Sequence, residues 1–380
     1  MTSTATRDDV VGQRPSPRSD APLLRMRGVT KWFPVGSASP LRRDRSVVHA
    51  VDGVDLDVYP GETVGLVGET GCGKSTLARC AARLYDVTSG TIEFEGRDIT
   101  QLSRRAMRPF RRQIQMIFQD PYGSLNPRRR VGSIIGDPFS INDVGSRAER
   151  KRRVQELMEL VGLNPEHYNR FPAEFSGGQR QRIGCARALA LHPRLVICDE
   201  PVSALDVSIQ AQVLNLLLDL QHELGLTYVF ISHDLSVIRH VSTRIAVMYL
   251  GRVVEVAPTA ALFAGSRHPY TRALLSALPA PDPDTADSRE RIVLVGDLPS
   301  AVEPPSGCRF HTRCPKAQPD CVVVDPPLVP VLGDDHRHRT ACLHPVHEGE
   351  DLSRERPQIS DTALVDDGDD ATSARSRGAS

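Results

Sequence analysis

The amino-acid sequence predicts an α/β fold built on a largely parallel sheet, and three observations predict it. A short apolar run, Val64-Gly65-Leu66-Val67, leads into Gly68-Glu69-Thr70-Gly71-Cys72-Gly73-Lys74-Ser75-Thr76, and helix-forming residues continue to Leu84. Strand, glycine-rich loop and helix in this order fit G-x-x-x-x-G-K-[ST], an arrangement that holds phosphate. Two further apolar runs of strand length, Leu195–Cys198 and Tyr228–Ile231, alternate with segments whose apolar residues recur at helical spacing. Finally, Gly68, Gln119, Asp199 and His233 each follow the end of an apolar run. Parallel sheets collect their ligands at such carboxyl ends.

Taken in order, residues 1–22 are polar and carry Pro15 and Pro17, which predicts a disordered start. Residues 23–31 read as a first strand. Trp32 and Phe33 follow, then Pro34, Gly36, Pro40 and an Arg-rich patch that predict an inserted loop. A strand resumes from Val47 to Val58 and stops at the turn signal Pro60-Gly61. Thr91–Gly96 alternates as a strand, and Gln115–Phe118 is a short apolar strand ending at Gln119-Asp120-Pro121. Residues 125–180 read as interrupted helix, in which Val154, Leu157, Met158 and Val161 form one face ended by Gly162. Val213, Leu216, Leu217, Leu220 and Leu224 form a second stripe ended by Gly225. Ile245–Tyr249 and Val253–Val256 flank Gly251 as a hairpin. Proline dominates after residue 260, which predicts a small second domain over 261–346. An acidic, apolar-poor tail, expected to be disordered, follows over 347–380.

Composition excludes several classes. With 380 residues and 40% hydrophobic content the chain can build a real core. Its 47 basic and 47 acidic residues balance, and aromatics are 5%, so neither an overall field nor a base-stacking surface favours nucleic acid. No run of uncharged apolar residues is long enough to span a bilayer, and the N-terminal stretch lacks a secretory h-region, so a cytoplasmic protein is expected. Cys72, Cys80, Cys185 and Cys198 lie singly in strand-like or helix-like segments and read as small buried residues. Cys308, Cys314, Cys321 and Cys342 cluster late, which in a reducing compartment points to metal rather than disulfides. Four thiolates suit either iron–sulfur or zinc, and a spacing wider than C-x2-C tilts the reading to iron–sulfur. His311, His336, His338 and His344 are alternative ligands, read first as solvated surface residues.

The chemistry of the loop needs these residue types. Glycines let backbone N–H groups turn around phosphate oxygens, and the helix N-terminus adds partial positive charge. Lysine occurs only at positions 31, 74, 151 and 316 in an arginine-dominated chain, so the compact ammonium at Lys74 marks a place where Arg would not substitute. Lys74 would reach the β- and γ-phosphates, and the Ser75 hydroxyl would sit on Mg²⁺. Asp199 closes an apolar strand, as the Mg²⁺-holding acid of phosphate-loop NTPases does. Glu200 beside it could take a proton from, or orient, an attacking water. Ser176-Gly177-Gly178-Gln179 opens a helix and makes a second anion-binding helix start. One nucleotide does not need two such starts from one chain. Two chains facing head to tail would use both. An acidic surface corner or an ordinary helix cap would explain either feature alone; their order along the chain is the informative part.

These motifs resemble the ATP-binding cassette (ABC) ATPases, over about residues 24–345. The resemblance implies a P-loop NTPase (RecA-like) α/β core with a helical signature subdomain, forming a nucleotide-binding domain over 23–260, and a small C-terminal extension. It implies that Gly68–Thr76 holds ATP with Mg²⁺ and that Gln119 is the Q-loop glutamine, near γ-phosphate and Mg²⁺. Asp199 and Glu200 resemble the Walker B acid and the catalytic glutamate. Ser176–Gln179 resembles the signature motif, Ser203–Asp206 the D-loop, and His233 the switch histidine. Phe33 resembles the aromatic that stacks on adenine, with Trp32 the competing choice. Met116–Pro121, Ser124–Pro127, Ser203–Gln212 and His268–Leu274 are similar to ATPase subunits of oligopeptide/dipeptide importers. In relatives the four late cysteines resemble a [4Fe–4S] site. The resemblance thus implies an ATPase at the cytoplasmic face of the membrane. Its partners would be a second ATPase subunit, expected to be a different chain, with two separate permeases and a solute-binding protein. Nickel or glutathione are alternative cargoes within the subfamily. A soluble ABC ATPase acting on nucleic acid would require a second cassette or a coiled-coil insertion, and the sequence has neither.

Overall fold

Strands buried on both faces occupy the middle of the molecule. A computed structural model describes residues 21–35, 46–120, 123–278, 292–333 and 337–352. In β3 (Thr63–Val67), β7 (Leu195–Asp199) and β8 (Thr227–Ile231) every residue is buried. Strand pleat sends alternate side chains to opposite layers. Val64, Leu66, Leu195, Ile197, Val229 and Ile231 enter one apolar cluster, while Val67, Val196, Cys198, Tyr228 and Phe230 enter the other.

The remaining elements in chain order are β1 (Leu24–Val35), β2 (Ser46–Val58), α1 (Lys74–Ala81), β4 (Ser89–Phe94), β5 (Arg97–Asp98), α2 (Arg108–Gln113), β6 (Ile114–Ile117), α3 (Val131–Ile141), α4 (Arg147–Leu160), α5 (Gly177–Leu189), α6 (Val207–Leu224), α7 (Leu235–Val241), β9 (Arg244–Tyr249), β10 (Arg252–Pro258), α8 (Thr259–Gly265), α9 (Pro269–Ser276), β11 (Val329–Pro330) and β12 (Arg339–Thr340). The main sheet has eight strands in the order β11-β12-β10-β9-β3-β8-β7-β6. Its five strands from β9 to β6 run parallel, and β10, β12 and β11 add an antiparallel edge. A separate antiparallel sheet, β2-β1-β4-β5, covers the face that carries α1.

Several expectations are met, and others are corrected. Gly162 and Gly225 adopt positive φ where helices α4 and α6 end, as a glycine stop does. Val154, Leu157, Met158 and Val161 are buried, as are Val213, Leu217 and Leu220. The four scattered cysteines are buried. The inserted loop expected from Pro34 begins later: β1 runs through Trp32, Phe33 and Pro34 to Val35 and pairs with β2 from Ser46. The strand tolerates Pro34 because it lies near the end of a two-stranded ribbon. The rest of that loop, at 36–45, lies outside the described residues, as do the terminal segments 1–20 and 353–380, Pro121 and His336. Within residues 347–352, expected to be tail, two side chains make contacts: Lys316 Nζ donates to Glu350 at 2.6 Å, and Leu352 is buried. No described helix is long and apolar enough to cross a membrane.

The segment after residue 260 is stitched to the sheet in two ways. Glu255 on β10 faces Thr340 on β12, and Ala341 N donates to Val254 O at 2.8 Å. Tyr249, Tyr270 and Phe310 pack with ring centroids 4.7 to 5.3 Å apart, all at most 1% exposed. The expectation that His311 and His338 are solvated is wrong: both are buried, and His338 Nε2 lies 2.7 Å from Glu255 Oε1. A buried carboxylate needs such partners. Phe310→Ala is expected to lower stability by about 3–5 kcal/mol, the cost of emptying a filled aromatic site. Urea unfolding would register it, and a loss under about 1 kcal/mol would contradict this packing role.

Candidate nucleotide site

The loop after β3 is shaped by what stands behind it. Gly68 has φ +151°, and a Cβ there would lie 2.1 Å from the Met248 carbonyl oxygen. Gly73 has φ +104°, and its Cβ would lie 2.0 Å from the Ala50 carbonyl oxygen. Only glycine fits at either place, so the loop is pinned between β9 and β2 with its tip, Thr70 and Gly71, exposed. The side chain of Cys72 points inward and is buried, and burial pushes its thiol pKa up. Lys74 opens α1, is 5% exposed, and donates to the carbonyls of Gly68 at 2.8 Å and Glu69 at 2.9 Å. Its ammonium is thereby held over the loop. Thr76 lies half-buried in the first turn of α1.

Three strand ends bring the other polar residues to this loop. Ser75 Oγ donates to Asp199 Oδ1 at 2.7 Å. Asp199 is 1% exposed, with Arg79 Nη2 3.9 Å away. Burial holds its carboxyl above the usual range, and the Ser75 hydroxyl and Arg79 offset part of that shift. A buried carboxylate beside a hydroxyl is a pair of hard oxygen donors, and this set suits Mg²⁺.

Glu200 follows at φ +47°, outside the strand region, with its N–H donating to Ile231 O at 3.1 Å. Such a φ is unfavourable for a non-glycine residue and turns the side chain off the line of β7. Gln119 Nε2 donates to Glu200 Oε2 at 2.8 Å, and His233 Nδ1 lies 3.3 Å from the same oxygen. Gln119 and His233 are exposed at the ends of β6 and β8. The residues singled out at four strand ends therefore meet in one place.

Ser176–Gln179 stands apart from this group. Ser176 caps α5 in a reciprocal box: Gln179 N donates to Ser176 Oγ at 3.3 Å, and Ser176 N donates to Gln179 Oε1 at 3.0 Å. Leu205 and Ile209 press on Gly177 and Gly178, where a Cβ would lie 3.3 and 2.4 Å from their side-chain carbons. Ser203 Oγ donates to Glu200 O at 3.1 Å, and Asp206 is exposed at the start of α6. Segment 203–209 thus links Glu200 to the start of α5. Because β1 continues through both aromatics, Trp32 and Phe33 face opposite sides. Trp32 lies 4.5 Å from the His49 ring, while Phe33 packs 5.6 Å from Tyr85 with Lys31 over its face.

The late cysteines also come together. Cys308, Cys314, Cys321 and Cys342 line one cavity with His268, Phe310 and Lys316. Burial pushes the thiols up, Cys308 to about 11 and Cys342 to about 12. His344 pairs with Asp320 at 2.9 Å. With Cys321 these form the group of metal-binding type among the described residues whose ligand atoms all lie within 4.8 Å of one another.

Comparison with known proteins accords with this geometry. The sequence matches the ABC transporter family over residues 51–203 and the oligopeptide/dipeptide transporter C-terminal region over residues 254–321. It is 54% identical over 300 residues to the oligopeptide transport ATP-binding protein AppF of Bacillus subtilis, spanning 79% of this chain and 91% of that protein. The chain belongs to the ABC transporter ATP-binding subunits. It is 53% identical over 313 residues to the probable peptide ABC transporter ATP-binding protein y4tS of Sinorhizobium fredii, spanning 82% and 88%. Among solved structures it is similar to the ATP-binding cassette MJ0796 in a dimeric post-hydrolysis state bound to ADP and Pi. That match has 29% identity and a TM-score of 0.55, and covers 62% of this chain and 98% of the cassette. The chain is thus an ABC-type ATPase with a P-loop NTPase core.

Two contacts on the cassette's loop come from residues the sequence did not single out for this site. Tyr270 Oη accepts from Glu69 N at 2.9 Å, and Arg313 binds the Glu69 carboxylate. Neither lies in a recognisable phosphate motif. Gly73→Ala is expected to weaken nucleotide binding at least about tenfold, from backbone strain and the clash with Ala50. Titration with a fluorescent ATP analogue measures it, and unchanged affinity would contradict the cradle described above.

Proposed function

We propose that this chain binds Mg-ATP at Gly68–Thr76 and hydrolyses it to energise import of di- or oligopeptides through a separate pair of membrane permeases. The observation that carries the catalytic part is the meeting of Gln119, Glu200 and His233 on one carboxylate oxygen beside the Ser75–Asp199 pair. The cargo part is supported by the match of the extension to the oligopeptide/dipeptide transporter C-terminal region and by the peptide-transport roles named for the relatives.

Each residue has a role in this reading. Lys74 and the loop amides hold the β- and γ-phosphates, and Phe33 is the platform for adenine. Ser75 and Asp199, with Gln119 nearby, hold Mg²⁺, which supplies positive charge to the phosphate oxygens. Glu200 accepts the proton of the attacking water. Gln119 and His233 orient its carboxylate, and His233 contacts the γ-phosphate. Residues 23–260 form the nucleotide-binding unit and 261–346 the extension. Ser176–Gln179 and Asp206 close on the nucleotide of a second ATPase subunit, which we take to be a different chain. Binding closes the pair, and hydrolysis releases it. The complex sits at the cytoplasmic face of the membrane, with a solute-binding protein on the far side.

The four late cysteines are proposed to hold an iron–sulfur cluster. A tetrahedral zinc ion would draw four sulfurs to about 3.8 Å of one another. Here no three of the cysteine sulfurs fall mutually within 4.8 Å, although all four line one cavity. The iron–sulfur reading rests on four thiols lining one cavity and on their wide spacing in sequence. A bound cation would offset the rise that burial imposes on these thiols.

Glu200→Gln should bind ATP with affinity close to wild type while turnover falls by about two orders of magnitude or more. Near-normal turnover in a phosphate-release assay would remove Glu200 as the base. Anaerobically purified protein should contain iron and acid-labile sulfide in similar amounts. Zinc without iron would overturn the cluster.

A further inference from the structure

The nucleotide loop does not rest on its own domain alone. Every polar group of Glu69, the second residue of the loop, is engaged. Its carbonyl accepts from Lys74 Nζ at 2.9 Å, and its N–H donates to Tyr270 Oη at 2.9 Å. Its carboxylate accepts two bonds from Arg313 Nη1, at 3.2 and 2.9 Å. Tyr270 and Arg313 both belong to the segment after residue 260. The Arg313 side chain is 10% exposed and that of Glu69 26%, so the ion pair is partly withdrawn from water and stronger than a surface pair.

The position of Arg313 is set by the cysteine-bearing module. It ends the turn His311–Arg313, directly before Cys314. Within this turn His311 N donates to Cys308 O at 3.0 Å, and Arg313 N to Phe310 O at 3.0 Å. Phe310 in turn packs on Tyr249 and Tyr270. The chain that ends β9, next to the loop's own strand, is thereby joined to the module that grips Glu69.

The charges make the contact consequential. A carboxylate in a phosphate-binding loop opposes phosphate by like-charge repulsion unless it is neutralised and turned away. We propose that Arg313, with Tyr270, is a positioning residue of the nucleotide site, holding Glu69 off the phosphates so that the C-terminal extension sets ATP affinity. The inference rests on reading 68–76 as the ATP loop and is independent of what the four cysteines hold. Glu69 is then a residue that shapes the loop through its partners in the extension.

The test uses the full-length chain, mant-ATP titration and Mg-ATP steady-state kinetics. Arg313→Ala should raise Kd and KM about five- to twentyfold with kcat within about twofold, since the pair acts on binding rather than on the water-activating group. Adding Glu69→Gln to Arg313→Ala should restore most of the lost affinity, because the unpaired carboxylate is then gone. Arg313→Lys, which keeps the charge, should fall between wild type and Arg313→Ala. A role confined to folding would lower the melting temperature without rescue by Glu69→Gln. Wild-type KM in a folded Arg313→Ala variant, or a raised KM that Glu69→Gln leaves unchanged, overturns the proposal. Lys74→Ala is the control for the underlying reading: if it binds mant-ATP as well as wild type, the loop itself is misassigned.

Discussion

Two carbonyl oxygens give the phosphate loop its shape. Those of Met248 and Ala50 stand where a Cβ on Gly68 or Gly73 would be. A loop that can carry no side chain at these points follows a single path, along which backbone N–H groups can turn toward a ligand. Every other site residue is referred to that path. Lys74 is folded back on it, Ser75 is brought to Asp199, and Glu69 is presented to the C-terminal segment. The positions of β9 and β2 relative to β3 therefore determine the site as much as the loop sequence does.

Around the loop, the sheet acts as an alignment device. Parallel strands ending at one level bring Gln119, Asp199, Glu200 and His233 together although the first and last lie 114 positions apart. The strained φ of Glu200 departs from strand geometry and aims a carboxylate that would otherwise continue the alternation of β7. Backbone strain is tolerated because β7 is buried on both faces and cannot shift to relieve it. The segment through Ser203, Leu205 and Ile209 then carries the position of Glu200 to the start of α5.

Local patterns were legible wherever a residue's neighbours in sequence decide its state. The buried strands, the two helical stripes with their glycine stops, and the strand–loop–helix around Lys74 all carry their periodicity within a dozen residues. What stayed hidden depends on distant pairing. Nothing near Trp32 says that β1 continues to Val35, because its partner strand starts only at Ser46. His338 reads as a polar surface residue until β12 sets it beside Glu255, 83 positions earlier. Arg313 reads as one arginine among many, and Glu69, its partner, is 244 positions away. The antiparallel edge that β10, β12 and β11 add to the parallel strands was likewise not in the pattern, since β11 and β12 are only two residues long.

Glu255 gives the junction of the two segments a further meaning. It is fully buried on β10, and its carboxylate is satisfied by the N–H groups of Arg267 and His268 and by His338. All three partners come from beyond residue 260. On the same side, β12 occupies the hydrogen-bonding edge of β10. A chain ending near residue 260 would strip Glu255 of all three partners and open the strand edge that β12 covers, a template for pairing with other chains. Glu255 thus ties the sheet to the extension through three bonds. A free-standing cassette of this kind would have to blunt the edge of β10 before it could dispense with the module.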